Sequence, residues 1–214
     1  MIKIWGRQSS SNVQAVLWCL SELKLPFERI DAGYIYGVVD TEAYRAMNPN
    51  CTIPTLIDGD GPPLWESAAI MRYLANRYGA DPFWPSDPID RAHVDKWAEW
   101  SKLNIAVKFT APIFWGLVRT APSKRNYDAI EKSIGVLENN LDIAERQLDR
   151  GPYLAGDAFT LADILFGHCL YRYFDLEMMR PERENLTSYY ARLRERPAFK
   201  DHVMVSYEEL RITE

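Results

Sequence analysis

Residues 48–78, NPNCTIPTLIDGDGPPLWESAAIMRYLANRY, decide how the first third of the chain folds. Pro54 follows an apolar residue and opens a β-rich run, the place in a strand where a missing N–H does least damage to the ladder. PTLID and PPLW, separated by GDG, read as two strands joined by a tight Gly/Asp turn. SAAIMRYLANRY, from Ser67 to Tyr78, then reads as a helix.

Upstream, IKIW (residues 2–5) reads as a strand, and Val13, Val16, Leu17, Leu20 and Leu23 recur at helical spacing. Pro26 ends that helix, and FERID (residues 27–31) alternates as a strand does. A loop with Gly33 and Gly37 leads to a short helical piece around residues 41–47. The order β-α-β-α-β-β-α implies a parallel βαβ unit extended by an antiparallel hairpin.

Downstream, GADPFWPSDPID (residues 79–90) carries prolines at 82, 85 and 88 and cannot continue a helix. It is a linker, beyond which every long segment is helical in pattern. Residues 91–118 carry Trp97, Trp100, Leu103 and Val107. Residues 127–148 place Ile130, Ile134, Leu137, Leu141, Ala144 and Leu148 on one face. Thr160 and Asp163 are spaced as a capping box, and residues 186–196 make one more helix before Pro197. The expected organisation is an α/β domain over residues 1–79, a linker over 80–90 and an all-α domain over 91–214.

A chain of 214 residues with 47% hydrophobic residues can bury the cores of two such domains. Its net charge of −5, with no basic stripe, argues against a nucleic-acid partner. Cys19, Cys51 and Cys169 are odd in number and widely spaced, which fits a reducing compartment and not a disulfide framework. No apolar signal-peptide core and no run of about 18 apolar residues occurs, so neither a membrane partner nor export is expected, and the expected location is cytoplasmic. His93, His168 and His202 show no metal-ligand spacing and are read as structural or surface groups; no metal is expected.

Four local signatures, GRQSSSNVQAVLWCLSELKLPFERID, residues 48–78, GDAFTLADI and RPAFKDH, stand in an order and spacing that resemble the glutathione transferase family over nearly the whole chain. The resemblance implies a thioredoxin-like N-terminal domain with an all-helical C-terminal domain, glutathione as co-substrate and a homodimer, in a serine-type, bacterial-like (theta/beta-like) member. It implies that Pro54 is cis and exposes the backbone of Ile53 to the cysteinyl main chain of glutathione. It also implies that Glu66 and Ser67, at a helix start, meet the γ-glutamyl ammonium and carboxylate. An N-terminus suits that carboxylate, because its N–H groups are unpaired and its dipole end is positive. Ser67 is in addition a plausible cap for its own helix.

Members of the family activate the glutathione thiol with a hydroxyl or thiol near the end of the first strand. No tyrosine precedes Tyr34, and Cys19 lies inside the first helical pattern, which leaves serine. By register with the following helix, Ser10 matches the catalytic serine of serine-type relatives, with Ser9 and Ser11 as the alternatives. Asn12 is read as the helix cap and as a further glutathione contact. A hydroxyl donor would act by favouring the thiolate of glutathione, so no neighbouring histidine is needed.

The second substrate is expected between the domains, where FTAPIFWGLVR (residues 109–119) is aromatic and Pro112 should kink its helix. Phe109, Ile113, Phe114 and Trp115 could line an apolar pocket or simply pack the interior. Arg119 could balance a negative substrate or be solvated. Where relatives commonly read Asn-Pro-x-Gly, this chain has Asn48-Pro49-Asn50-Cys51, and Thr52 occupies a slot often basic in relatives. The expected function is attack of glutathione thiolate on a small, largely apolar electrophile. The alternatives are glutathione-dependent disulfide reduction, in which Cys51 would matter, and a non-catalytic binding or regulatory protein.

Overall fold

The structure is a computed structural model that describes residues 1–214. Four strands, β1 (Ile2–Trp5), β2 (Phe27–Ile30), β3 (Thr55–Asp58) and β4 (Leu64–Trp65), form one sheet in the order β2-β1-β3-β4. β1 pairs parallel to β2 and antiparallel to β3, which in turn pairs antiparallel to β4. Helix α1 (Ser11–Glu22) supplies the crossover that a parallel pair requires. The short α2 (Glu42–Met47) and the longer α3 (Ser67–Tyr78) complete the thioredoxin-like unit.

Helix α4 (Pro88–Trp100) opens the helical half, three residues inside the expected 80–90 linker, because Pro88 stands at its first position, where a missing N–H costs nothing. The same helical path continues through a π-helical stretch (Ser101–Ala106), α5 (Val107–Phe109), a second π-helical stretch (Thr110–Trp115) and α6 (Gly116–Val118). Pro112 explains the second stretch, since it has no N–H to close the ordinary ladder and the wider turns absorb its ring. The first stretch contains no proline, and nothing in its sequence announces it. Leu103 and Val107, part of the helical pattern read over residues 91–118, are about half exposed at 52% and 50%. The widened turns between them and Trp97 shift the face that a regular 3.6-residue period would bury.

Helices α7 (Tyr127–Leu148), α8 (Leu161–Gly167), α9 (Leu170–Asp175), α10 (Glu184–Arg194) and α11 (Pro197–His202) complete the all-α half. α8 is buried along its whole length and packs against α4 and α1. Its Gly167 is a close-approach glycine: a Cβ there would stand 2.5 Å from Leu193 Cδ1 and 3.0 Å from Trp18. Asp163 is fully buried and accepts from Leu154 N–H (2.9 Å), Thr160 N–H (2.8 Å) and Tyr189 O–H (3.0 Å), so the capping-box residue also ties down the loop before it. One continuous core joins both halves through α1, whose Val13 to Leu20 are all buried. Arg196 clamps the far end of α1 with paired bonds to Glu22 at 2.7 and 2.6 Å. No helix is long and apolar enough to cross a membrane.

Candidate active site

The site grows from the end of β1. Gly6 is where the chain leaves the strand, and a Cβ there would stand 2.4 Å from Val13 Cγ2, so only glycine lets α1 return this closely over the sheet. Of the next residues, Arg7 and Ser10 line a cavity of about 320 Å³. Ser10, Asn12, Cys51, Thr52 and Ile53 line it from the sheet-bearing half, and Trp115 and Arg119 line it from the helical half.

The three serines point to different surroundings. Ser9 Oγ is bound to the Glu209 carboxylate, and its carbonyl accepts from the Arg172 guanidinium, so Ser9 is turned toward the helical half. Ser11 is the first residue of α1, is buried and does not line the cavity. Ser10 occupies the N-cap position of α1, yet its side chain caps no helical N–H and lines the cavity.

Asn12 is not the cap, contrary to the sequence reading. It lies one residue inside α1, because the helix begins at Ser11, and its amide oxygen is used elsewhere. Asn12 Oδ1 accepts from Lys102 Nζ at 3.0 Å and from Ser67 Oγ at 3.3 Å, while Ser67 Oγ also accepts from Lys102 Nζ at 3.1 Å. Lys102 is thus a hub between the two halves. Burial pushes its ammonium down from the ordinary lysine range, while Glu66 and Glu99 pull it back.

Ser67 likewise is not a cap but the first residue of α3. Glu66 holds the N-cap position at φ 68°, in the left-handed region, and offers no side-chain cap. A non-glycine residue there is strained, and such strain concentrates at functional sites. The outcome is an exposed carboxylate beside first-turn N–H groups that no side chain caps.

The Ile53–Pro54 peptide is cis. The turn that carries it is held from behind: Tyr44 O–H (2.7 Å) and Asn48 Nδ2 (2.9 Å) both donate to the Thr52 carbonyl. Cys51 sits at φ 54°, which gives the physical reason a glycine suits this position. Its side chain is partly exposed on the cavity wall.

The aromatic segment divides. Phe109, Ile113 and Phe114 are buried in the interior and do not line the cavity. Phe114 packs edge-on to Tyr207 at 5.0 Å and under Arg172 at 4.5 Å. Only Trp115 and Arg119 of that segment reach the wall. Arg172 is itself buried without a carboxylate partner, and burial pushes its guanidinium down to about 10. His168 is an interior residue whose ring nitrogens meet the Ile164 carbonyl and Cys169 Sγ.

Sequence reasoning missed Arg7, Tyr34, Lys102 and Arg172. Arg7 could have been found by its place beside Ser9 and Ser10. The other three lie 23 or more positions away from the serine cluster and carry no motif, so only packing brings them to it.

Comparison with known proteins agrees with this geometry. The model of the glutathione S-transferase N-terminal domain matches residues 9–77, and that of the glutathione S-transferase C-terminal domain matches residues 127–195. Glutathione S-transferase GstB of Escherichia coli (strain K12) is 37% identical over 206 residues, covering 96% of this chain and 99% of that protein. Glutathione S-transferase F13 of Arabidopsis thaliana is 30% identical over 92% of this chain and 93% of its own length. Among solved structures, the theta class glutathione S-transferase from the citrus canker pathogen Xanthomonas axonopodis pv. citri, with glutathione bound, superposes with a TM-score of 0.90 at 42% identity. That superposition covers 96% of this chain and 98% of the other. With matches in both halves, near-complete mutual coverage and the same fold, the chain belongs to the glutathione S-transferase family.

Proposed function

We propose that the chain is a glutathione transferase in which Ser10 stabilises the thiolate of glutathione for attack on a small electrophile. The observation that carries this reading is the position of Ser10: at the start of α1, not used as a cap, and on the wall of the cavity between the two halves. A free thiol with a pKa of about 8.5 is mostly protonated at neutral pH. One charge-assisted hydrogen bond is worth ~1.5–3 kcal/mol, which at ~1.36 kcal/mol per unit lowers that pKa by roughly one to two units. The positive end of α1 acts in the same direction. The sulfur is then the nucleophile, and Ser10 donates a hydrogen bond without giving up its proton.

In this reading the cysteinyl main chain of glutathione pairs with the backbone of Ile53 beside cis-Pro54. Its γ-glutamyl carboxylate takes the open N–H groups at the start of α3 with Ser67, and its ammonium faces Glu66. Asn12 contributes from the first turn of α1, and Lys102 holds Asn12 and Ser67 in register. The protein works as a homodimer; Leu103 and Val107, one helical turn apart and half exposed, suit a second copy. A reducing cytoplasm suits its three free cysteines.

Cys51 favours a second reading, glutathione-dependent disulfide reduction, because its thiol shares the cavity wall with Ser10. Titration of the thiolate absorbance of bound glutathione separates the two. A lowered thiol pKa that returns to its free value in Ser10→Ala supports the transferase. An unchanged pKa in that variant, or reduction of a mixed glutathione disulfide abolished by Cys51→Ala, counts against it.

A further inference from the structure

Arg7 and Arg119 are the most prominent groups of the cavity that the reading above leaves without a task. Both line the same wall space as Ser10. Their guanidinium carbons stand 5.6 and 5.2 Å from the ring centre of Tyr34, and Arg119 also lies 5.2 Å from that of Trp115. One tyrosine ring thus carries two cations, one from each half of the molecule.

Neither cation has an ion-pair partner, whereas Arg72, Arg183 and Arg196 are each paired with carboxylates. Glu209 is the one carboxylate whose charge acts on Arg7, from beyond ion-pair distance, while its Oε1 accepts from Ser9 Oγ. Arg7 Nε is buried and has no acceptor. Burial first, and then the charge of Arg119, push the Arg7 guanidinium down from its ordinary range. Two like charges beside an apolar wall, with a buried donor unmet, are lowered in energy by an anion. Guanidinium groups take carboxylates in paired, planar hydrogen bonds, and Tyr34 and Trp115 offer flat faces beside them.

We propose that the second substrate is a small electrophile carrying a carboxylate on a flat apolar body, bound by Arg7 and Arg119 against Tyr34 and Trp115. The inference rests on the transferase reading and narrows its substrate class from apolar to anionic. The step balances without a further reagent. The thiolate sulfur donates an electron pair to the electrophilic carbon, a C–S bond forms, and the leaving group departs with the electrons of its broken bond. The arginines hold the carboxylate and exchange no proton.

The test compares 3- and 4-(chloromethyl)benzoate with the corresponding benzamides, which differ in charge but little in shape. For each, kcat/KM at saturating glutathione is divided by the uncatalysed rate with glutathione. Glutathione affinity is measured separately by calorimetry. The acids should be favoured over the amides by on the order of tenfold, the worth of one charge-assisted hydrogen bond. Arg119→Gln and Arg7→Gln should each remove the preference and leave glutathione affinity unchanged, while Arg119→Lys retains most of it. Should Arg7→Gln fail to fold, Arg119→Gln decides alone. Equal enhancement of acids and amides, in a protein that binds glutathione and lowers its thiol pKa, overturns the inference and leaves the transferase reading intact. Weakened glutathione binding in the glutamine variants, with the acid preference unchanged, also overturns it, because the arginines would then hold the glycine carboxylate of glutathione. Absence of glutathione binding defeats both.

Discussion

Five helix starts in this protein are closed by side chains; that of α1, on the cavity wall, and that of α3, whose Ser67 is bonded to Asn12 of that wall, are not. Thr41 accepts from Tyr44 N–H at the start of α2, Asp87 from Ile89 and Asp90 N–H at α4, and Asn126 from Ala129 N–H at α7. Thr160 and Asp163 form a reciprocal box at α8, and Glu145 reaches across to the first-turn N–H groups of α10. At α1 and α3, Ser10 and Glu66 stand in the N-cap positions but their side chains bind no helical N–H, and neither first turn contains an acidic residue. A buried or half-buried helix start normally finds partners for its N–H groups. Where the chain supplies none, the groups remain available to a ligand's negative charge, and the macrodipole favours one. Residues with capping chemistry are thus present at both kinds of start; they close the N–H groups at one and leave them open at the other.

The largest test of that contrast is Asp163→Ala. It removes the acceptor of Leu154 N–H, Thr160 N–H and Tyr189 O–H in the interior, where each unmet donor costs about 1–3 kcal/mol. Stability should fall by at least ~3 kcal/mol, with the melting temperature dropping by roughly 6–12 °C for a chain of this size. The glutathione affinity of the folded fraction should not change; a loss of affinity would break the division between structural and ligand-facing starts.

Acid tests the interior next. Burial, reinforced by the charges of Lys102 and Arg172, pushes His168 down to about 3 from its model-peptide value of 6.5. The unfolded chain therefore takes up a proton in a window where the folded one does not. The stability that the neutral ring contributes is complete above pH 6.5 and is lost as pH falls toward 3. The loss should reach a few kcal/mol, and denaturant midpoints of His168→Gln across that window should fall less steeply than those of the wild type.

Ser10→Ala should do the reverse of Asp163→Ala. Its melting temperature should stay within a degree or two of wild type, because the side chain caps nothing. Its kcat/KM at neutral pH should drop about 10–100-fold, the rate equivalent of one charge-assisted hydrogen bond. A large stability loss without a rate loss would place Ser10 with the structural caps. Asn126→Ala is the smallest of the set: an ordinary cap, worth about 0.5–2 kcal/mol of stability with no effect on kcat/KM.

The elements that local pattern controls were legible beforehand. The βαβ start, the hairpin around GDG, the proline-bearing break before α4 and the Thr160–Asp163 box all depend on neighbours within a few residues. Features that depend on distant partners were not. Asn12 looks like a cap in sequence, but Lys102 and Ser67 claim its amide, and they are 90 and 55 positions away. Phe109 and Phe114 look like pocket residues, yet Tyr173, Tyr207 and Arg172 enclose them in the interior. Leu103 and Val107 fit a helical pattern, yet in the π-helical path both end half exposed.

By itself the sequence determined the two-part architecture and the short list of polar residues from which a glutathione site could be built. Which hydroxyl of Ser9, Ser10 and Ser11 lines the cavity was decided only in three dimensions. Glu209 and Arg172 hold Ser9, α1 buries Ser11, and Ser10 is left at the wall. The same holds for Arg7 and Arg119, ordinary polar residues in the chain that become two cations without an ion-pair partner across one tyrosine ring. The reason is one of range: hydrophobic period and turn chemistry act over a few residues, whereas burial, charge and the direction of a side chain are properties of everything packed around it.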